Sequence, residues 1–137
     1  VPDQQPRKSR PIALPTQNVV FVVDGNPSML RGIKRLLREH GFESELFETA
    51  GGLLSCGDFR RAVCLILDIN LSDGSGIELR RLIANLGGDL PVIYITGNDK
   101  QATRMAAMES GCIAYLIKPF TAQSLIQPIE RALATRS

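Results

Sequence analysis

The chain repeats a pair of signals: a short apolar run, then apolar residues at helical spacing. Residues 19–23 (VVFVV) are too few for a helix and rich in β-branched side chains, which predicts a strand. Asn26 and Pro27 follow, an N-cap candidate and a proline suited to the first helical position. Met29, Leu30, Ile33, Leu36 and Leu37 recur at the helical period, and His40 and Gly41 close that helix. Residues 43–47 (ESELF) alternate polar and apolar, as a half-exposed strand does. Thr49 caps a short helix ending near Gly57, and residues 63–67 (VCLIL) predict a fully buried strand. The loop through Gly76 leads into a helix with Leu79, Leu82, Ile83 and Leu86 on its inward side. Residues 91–95 (PVIYI) and 113–117 (IAYLI) predict two more strands, separated by a helix over 100–110. A final helix begins at Thr121 or Ser124 and turns Leu125, Ile126, Ile129, Ala132 and Leu133 inward. Pro128 removes a hydrogen bond to Ser124 and is expected to kink that helix or delay its start.

Five strands alternating with five helices predict an α/β domain with a parallel sheet. Four of the strands are apolar throughout, so helices should cover both sheet faces, in a doubly wound arrangement. The half-polar second strand belongs at an edge. Residues 1–17 carry Pro2, Pro6, Pro11 and Pro15 among polar and basic neighbours, which reads as a flexible N-terminal tail. Residues 18–137 form the domain.

Composition narrows the class. At 137 residues, the chain is long enough for one domain of ordinary size and too short for two. It has no Trp, five Phe and two Tyr, so Val, Ile, Leu and Ala must build the core. No apolar run reaches the ~18 residues of a membrane span, and no secretory leader is visible, so a cytoplasmic protein away from the membrane is expected. Net charge is +2, and the excess lies in the tail with Arg7, Lys8 and Arg10. The domain itself is balanced, which argues against direct nucleic-acid binding. Arg31, Lys34, Arg35 and Arg38 read as a solvated helix face. Cys56, Cys64 and Cys112 lack metal-ligand spacing and read as buried small apolar residues. His40 reads as a capping or surface residue. Met105 and Met108 suit either the core or a partner.

Open parallel sheets bind ligands beyond the carboxyl ends of their strands. The first polar residues after strands one, three, four and five are Asp24, Asp68, Thr96 and Lys118. Singly, each has a structural explanation, as a turn, cap or solvated residue. Together, two carboxylates, a hydroxyl and an ammonium at one sheet rim suit phosphoryl transfer to a carboxylate. A carboxylate can be the nucleophile, Mg²⁺ takes hard oxygen donors, and an ammonium and hydroxyl stabilise the equatorial oxygens.

The segments VVDGNPSML, LILDINLSDGSG, VIYITGNDK and YLIKPF, in this order, resemble the receiver domain of two-component response regulators, the CheY-like fold. The KPF and ITG pieces are similar to receivers of the FixJ type, and the resemblance covers about residues 18–135. It implies a flavodoxin-like strand order 2-1-3-4-5. It implies that Asp68 accepts a phosphoryl group from a sensor histidine kinase, so that the domain is a phosphoacceptor taking part in its own modification and not a turnover enzyme. It implies that Asp24, Asp68 and the Asn70 backbone carbonyl hold Mg²⁺, and that Thr96 and Lys118 contact the phosphoryl group. The Lys118–Pro119 bond is usually cis in the family, and a small residue such as Gly97 usually leaves room for the phosphate. Tyr115 stands at the switch aromatic position, whose ring turns inward as Thr96 moves. Partners would be the kinase and a downstream protein, an effector domain or a second copy in a homodimer. The chain would be a stand-alone receiver or a fragment of a longer regulator.

One departure bears on the chemistry. Most receivers carry two adjacent acids after strand one, and here the second is Gly25. Mg²⁺ binding should be weakened, since a water must replace the carboxylate. Asn26 could offer a neutral oxygen. The alternative is a pseudo-receiver that acts as a phosphorylation-independent interaction module. Ser72 replaces a frequent Pro, which should loosen the loop after Asp68. A flavin carrier is disfavoured by the acid after strand one, and a two-acid phosphatase by Asn70 in place of a second acid.

Overall fold

A computed structural model describes residues 19–135. The tail expected over 1–17 lies outside them. The main sheet has five parallel strands: β1 (Val19–Val23), β2 (Glu43–Phe47), β3 (Ala62–Asp68), β4 (Val92–Thr96) and β5 (Ala114–Ile117), in the order 2-1-3-4-5. The helices are α1 (Pro27–Glu39), α2 (Ala50–Cys56), α3 (Gly76–Asn85), α4 (Gln101–Glu109) and α5 (Ala122–Ala134). A two-residue antiparallel ladder, Asn70–Leu71 with Gly74–Ser75, folds the loop after β3.

The sheet divides the core in two. Phe21, Val23, Leu65, Leu67, Val92 and Tyr94 face Leu53 of α2, Leu79 and Ile83 of α3 and Ala107 of α4. The alternate positions Val20, Val22, Cys64, Ile66, Ile93 and Ile95 face α1 and α5. The two-residue period of a strand gives every central strand an apolar residue for each face, which is why these runs do not alternate with polar residues. β2, the half-polar strand, pairs only with β1 and lies at an edge as expected.

Caps set the helix bounds. Asn26 Oδ1 accepts from the Ser28 and Met29 N–H groups at 2.9 and 3.3 Å, with Pro27 at the first helical position. Gly41 takes φ +87° directly after α1. Thr49 Oγ1 accepts from Gly52 N at 3.0 Å, and Thr121 Oγ1 from Ser124 N at 3.1 Å. His40 is the exposed C-cap of α1.

Some expectations need correction. Pro128 does not delay α5, which starts at Ala122 and runs unbroken past it, and the proline is buried. Of the four apolar residues expected inward on α3, only Leu79 and Ile83 are buried, while Leu82 and Leu86 are 44% and 66% exposed. The helix ends at Asn85 and covers the sheet with a narrower stripe than its leucine content suggests. Met105 and Met108 are exposed, and Cys56 and Cys112 are only half-buried. Cys64 is enclosed, and burial pushes its thiol up to about 12. No helix among the described residues is long and apolar enough to cross a membrane.

Candidate functional site

Strands β1, β3, β4 and β5 each end by presenting one polar group at the same rim. Asp24 directly follows β1, and its N–H donates to the Phe47 carbonyl at 3.0 Å, carrying the β1–β2 pairing one step further. Asp68 ends β3 in register with Ile95, and Thr96 ends β4. Lys118 follows β5, and its N–H donates to the Thr96 carbonyl at 2.8 Å. All three of Asp24, Asp68 and Thr96 are buried, the only buried polar or charged side chains among the described residues. Buried polar groups need partners, and here Lys118, Asn70 and nearby backbone groups supply them.

Lys118 Nζ donates to Asp24 Oδ2 at 2.8 Å and to Asp68 Oδ2 at 3.1 Å. The remaining oxygens accept from backbone: Asp24 Oδ1 from Asn26 N at 2.8 Å and Asp68 Oδ1 from Asn70 N at 3.0 Å. Every carboxylate oxygen of the pair therefore has a partner within the domain. The Lys118–Pro119 peptide is cis.

Burial pushes the Asp68 carboxyl above its usual value, and the nearby Asp24 adds to the rise; the Asn70 N–H and Lys118 oppose it. Burial alone would lower the Lys118 ammonium, but Asp24 and then Asp68 outweigh it and hold it above the usual lysine value. The lysine thus stays charged between two acids.

Thr96 Oγ1 accepts from Asn98 N at 3.0 Å and from Asn70 Nδ2 at 3.3 Å. The Asn70 amide side chain ties the loop after Asp68 to Thr96, a role no spacing rule reveals. Tyr115 is half-buried on β5, and its hydroxyl donates to Asp99 Oδ1 at 2.9 Å. Gly97 is exposed, and the nearest atom to a side chain there would be Lys118 Cδ at 3.9 Å.

Two glycines matter. Gly25 is exposed, and a Cβ there would meet only Glu48 O at 3.8 Å, so nothing steric demands glycine. Gly76 is the opposite case: a Cβ would stand 2.3 Å from the Asp68 carbonyl oxygen. Its N–H donates to Ile69 O at 2.9 Å, so α3 starts directly against the Asp68 peptide. A glycine opening a helix, where no turn requires it, was the available sequence signal of that close approach.

The donors around the acids are hard oxygens, the type Mg²⁺ takes, and in type they fit: two carboxylates and the Asn70 carbonyl. Position 25, next to Asp24, is a glycine and adds no carboxylate to them. Asn26 adds no side-chain oxygen either, since its Oδ1 is committed to the cap of α1. Among the described residues no group of three or more His, Cys, Asp or Glu converges.

A doubly wound parallel sheet in the order 2-1-3-4-5, with two acids, a lysine and a hydroxyl beyond its strand ends, defines a CheY-like α/β domain. The chain belongs to the response regulator receiver domain family, which matches residues 20–130, and it is a receiver of two-component signalling. It is 31% identical over 123 residues to the response regulator protein TmoT of Ectopseudomonas mendocina, covering 85% of this chain and 53% of that protein. The transcriptional regulatory protein FixJ of Rhizobium meliloti is 30% identical over 117 residues, covering 85% and 57%. A receiver domain crystal structure from Clostridium thermocellum aligns with a TM-score of 0.79 at 28% identity, over 85% of this chain and 94% of that one. The chain spans about half the length of the curated relatives it matches.

Proposed function

We propose that Asp68 accepts a phosphoryl group from a phosphohistidine of a sensor histidine kinase, and that the modified domain changes its contacts with a downstream protein, an effector domain or a second copy. The observation that carries this reading is Lys118 Nζ held between Asp24 and Asp68 at 2.8 and 3.1 Å. In the reaction an Asp68 oxygen attacks phosphorus. The P–N bond to the imidazole breaks as the P–O bond forms, and the leaving nitrogen keeps the electron pair. The product is a mixed anhydride with a dianionic phosphate. Lys118 offsets part of that charge, and the Thr96 hydroxyl can turn from Asn98 to donate to a phosphate oxygen.

Asp24, Asp68 and the Asn70 carbonyl are the groups that would hold Mg²⁺, with waters completing the shell. A bound Mg²⁺ supplies positive charge to the phosphoryl oxygens as they become more negative. Gly25 and the full internal pairing of the carboxylates support weak metal binding. The same two observations favour a second reading, a phosphorylation-independent interaction module. Incubation with acetyl phosphate and Mg²⁺, followed by intact mass measurement, separates the two. The first reading expects a gain of one phosphoryl group that Asp68→Asn abolishes. No gain, or an equal gain in the variant, leaves the second.

A further inference from the structure

The loop between β4 and α4 joins two hydrogen-bonded clusters through adjacent residues. Asn98 holds Thr96, through its N–H at 3.0 Å and its carbonyl at 3.3 Å. Asp99, the next residue, is held by Tyr115 and Arg104. The tyrosine hydroxyl donates to Oδ1 at 2.9 Å, Arg104 Nε donates to the same oxygen at 3.3 Å, and Arg104 Nη2 pairs with Oδ2. The guanidinium also lies over the Tyr115 ring, 5.5 Å from its centroid. Three side chains from the loop, α4 and β5 thus close one ring of contacts around the tyrosine.

The geometry is one of mechanical linkage. Thr96 and Tyr115 stand on neighbouring paired strands, and the dipeptide Asn98-Asp99 touches both. An anion on Asp68 would compete with Asn98 for the Thr96 hydroxyl. The hydroxyl has one proton, so the bond to the Asn98 carbonyl would be lost while the Asn98 N–H still donates to Oγ1; the loop would loosen at Asn98 and Asp99 would shift relative to β5. We propose that Asp99, clamped by Arg104, is a latch that fixes Tyr115 in the unmodified domain and is released when Thr96 exchanges the Asn98 carbonyl for an anion on Asp68. Asp99 and Arg104 are positioning residues in this account: neither reaches the acceptor, and they act through Tyr115 and the loop. The inference rests on the acceptor reading above.

The ion pair is open to solvent, with Arg104 48% and Asp99 27% exposed. Such pairs are weak and bias an equilibrium without locking it. This is the strength a reversible switch requires, since a ligand shifts two states only by its differential affinity for them.

The chain carries no Trp and two Tyr, so tyrosine emission is its natural reporter. Tyr94 is fully buried and bonded to Ser110 Oγ at 2.8 Å, which leaves Tyr115 as the responsive ring. Beryllofluoride with Mg²⁺, a mimic of the acyl phosphate, is the probe. ¹⁹F resonance reports its binding and tyrosine emission reports the ring. The latch predicts an emission change in the wild type that Tyr115→Phe abolishes. It predicts that Asp99→Ala shows the ligand-bound emission before any ligand is added. In that variant, and in Arg104→Ala, the beryllofluoride midpoint should fall about threefold to tenfold. Bound-fluoride resonances with wild-type resting emission and an unchanged midpoint in both variants would overturn the latch alone. Absence of bound fluoride in the wild type would overturn the acceptor reading and the latch's release with it.

Discussion

Lys118 is the cation that the buried acid pair shares. Its side chain is 19% exposed and those of Asp24 and Asp68 are 1% and 9% exposed, so solvent screens the cluster poorly. Lys118→Met would leave two buried carboxylates facing each other. The expected cost is about 3 kcal/mol at neutral pH, measured by urea unfolding, with most of it restored by adding Asp24→Asn. No loss on removing the lysine would mean that the acids are solvated. At Gly25 a side chain would meet only Glu48 O, at 3.8 Å. Gly25→Asp is expected to fold normally and to tighten Mg²⁺ binding about tenfold, read by calorimetric titration. Unchanged affinity would place this position away from the metal. Asp24, Asp68, Thr96 and Lys118 were legible in the sequence because each is the first polar residue after an apolar strand. The Asn70 side chain and the Asp99–Arg104 pair were not, because their roles depend on how loops fold back, and loops carry no hydrophobic period.

At the scale of elements, α3 is the clearest test of packing. Ile83 is 1% exposed and Leu82, its neighbour, 44%. Ile83→Ala is expected to cost about 3 kcal/mol of stability, whereas Leu82→Ala should stay within about 0.5 kcal/mol. Equal costs in thermal or urea unfolding would show that the helix is rotated from this placement. The composition of α3 misleads because four apolar residues fit its stripe, and only packing decides how many reach the sheet. Pro128 misleads in the other direction. It is buried within a continuous α5, so burial outweighs the local penalty for proline in a helix. The acceptor loop is tied to α2 by Asp73, whose carboxylate accepts from Ala50 N and Gly51 N, both at 3.0 Å. Those N–H groups, Gly51 ahead of Ala50, hold its carboxyl below the usual 3.8. Its contribution is therefore present above the unfolded value and is lost as pH falls through the folded one. Amide resonances of Ala50 and Gly51 should titrate with a midpoint below 3.8. A midpoint at or above that value would contradict the tie.

Across the whole molecule, the sheet order determines the chemistry. With β1 and β3 adjacent at the centre, their terminal acids meet. β4 and β5 then bring the hydroxyl and the ammonium to the same rim. The strand runs and their order of polar termini made this much readable before any coordinates. What the relatives add is the setting, two-component signalling, and the chain spans about half of the first of them. The central claim is that Asp68 carries the phosphoryl group, and chemical trapping tests it most directly. Borohydride reduces an aspartyl phosphate to homoserine, so treatment after acetyl phosphate and Mg²⁺ marks the modified position in a peptide mass spectrum. The account predicts homoserine at position 68 alone, with none in a sample never exposed to acetyl phosphate. Conversion at another aspartate, or none at any, would contradict it.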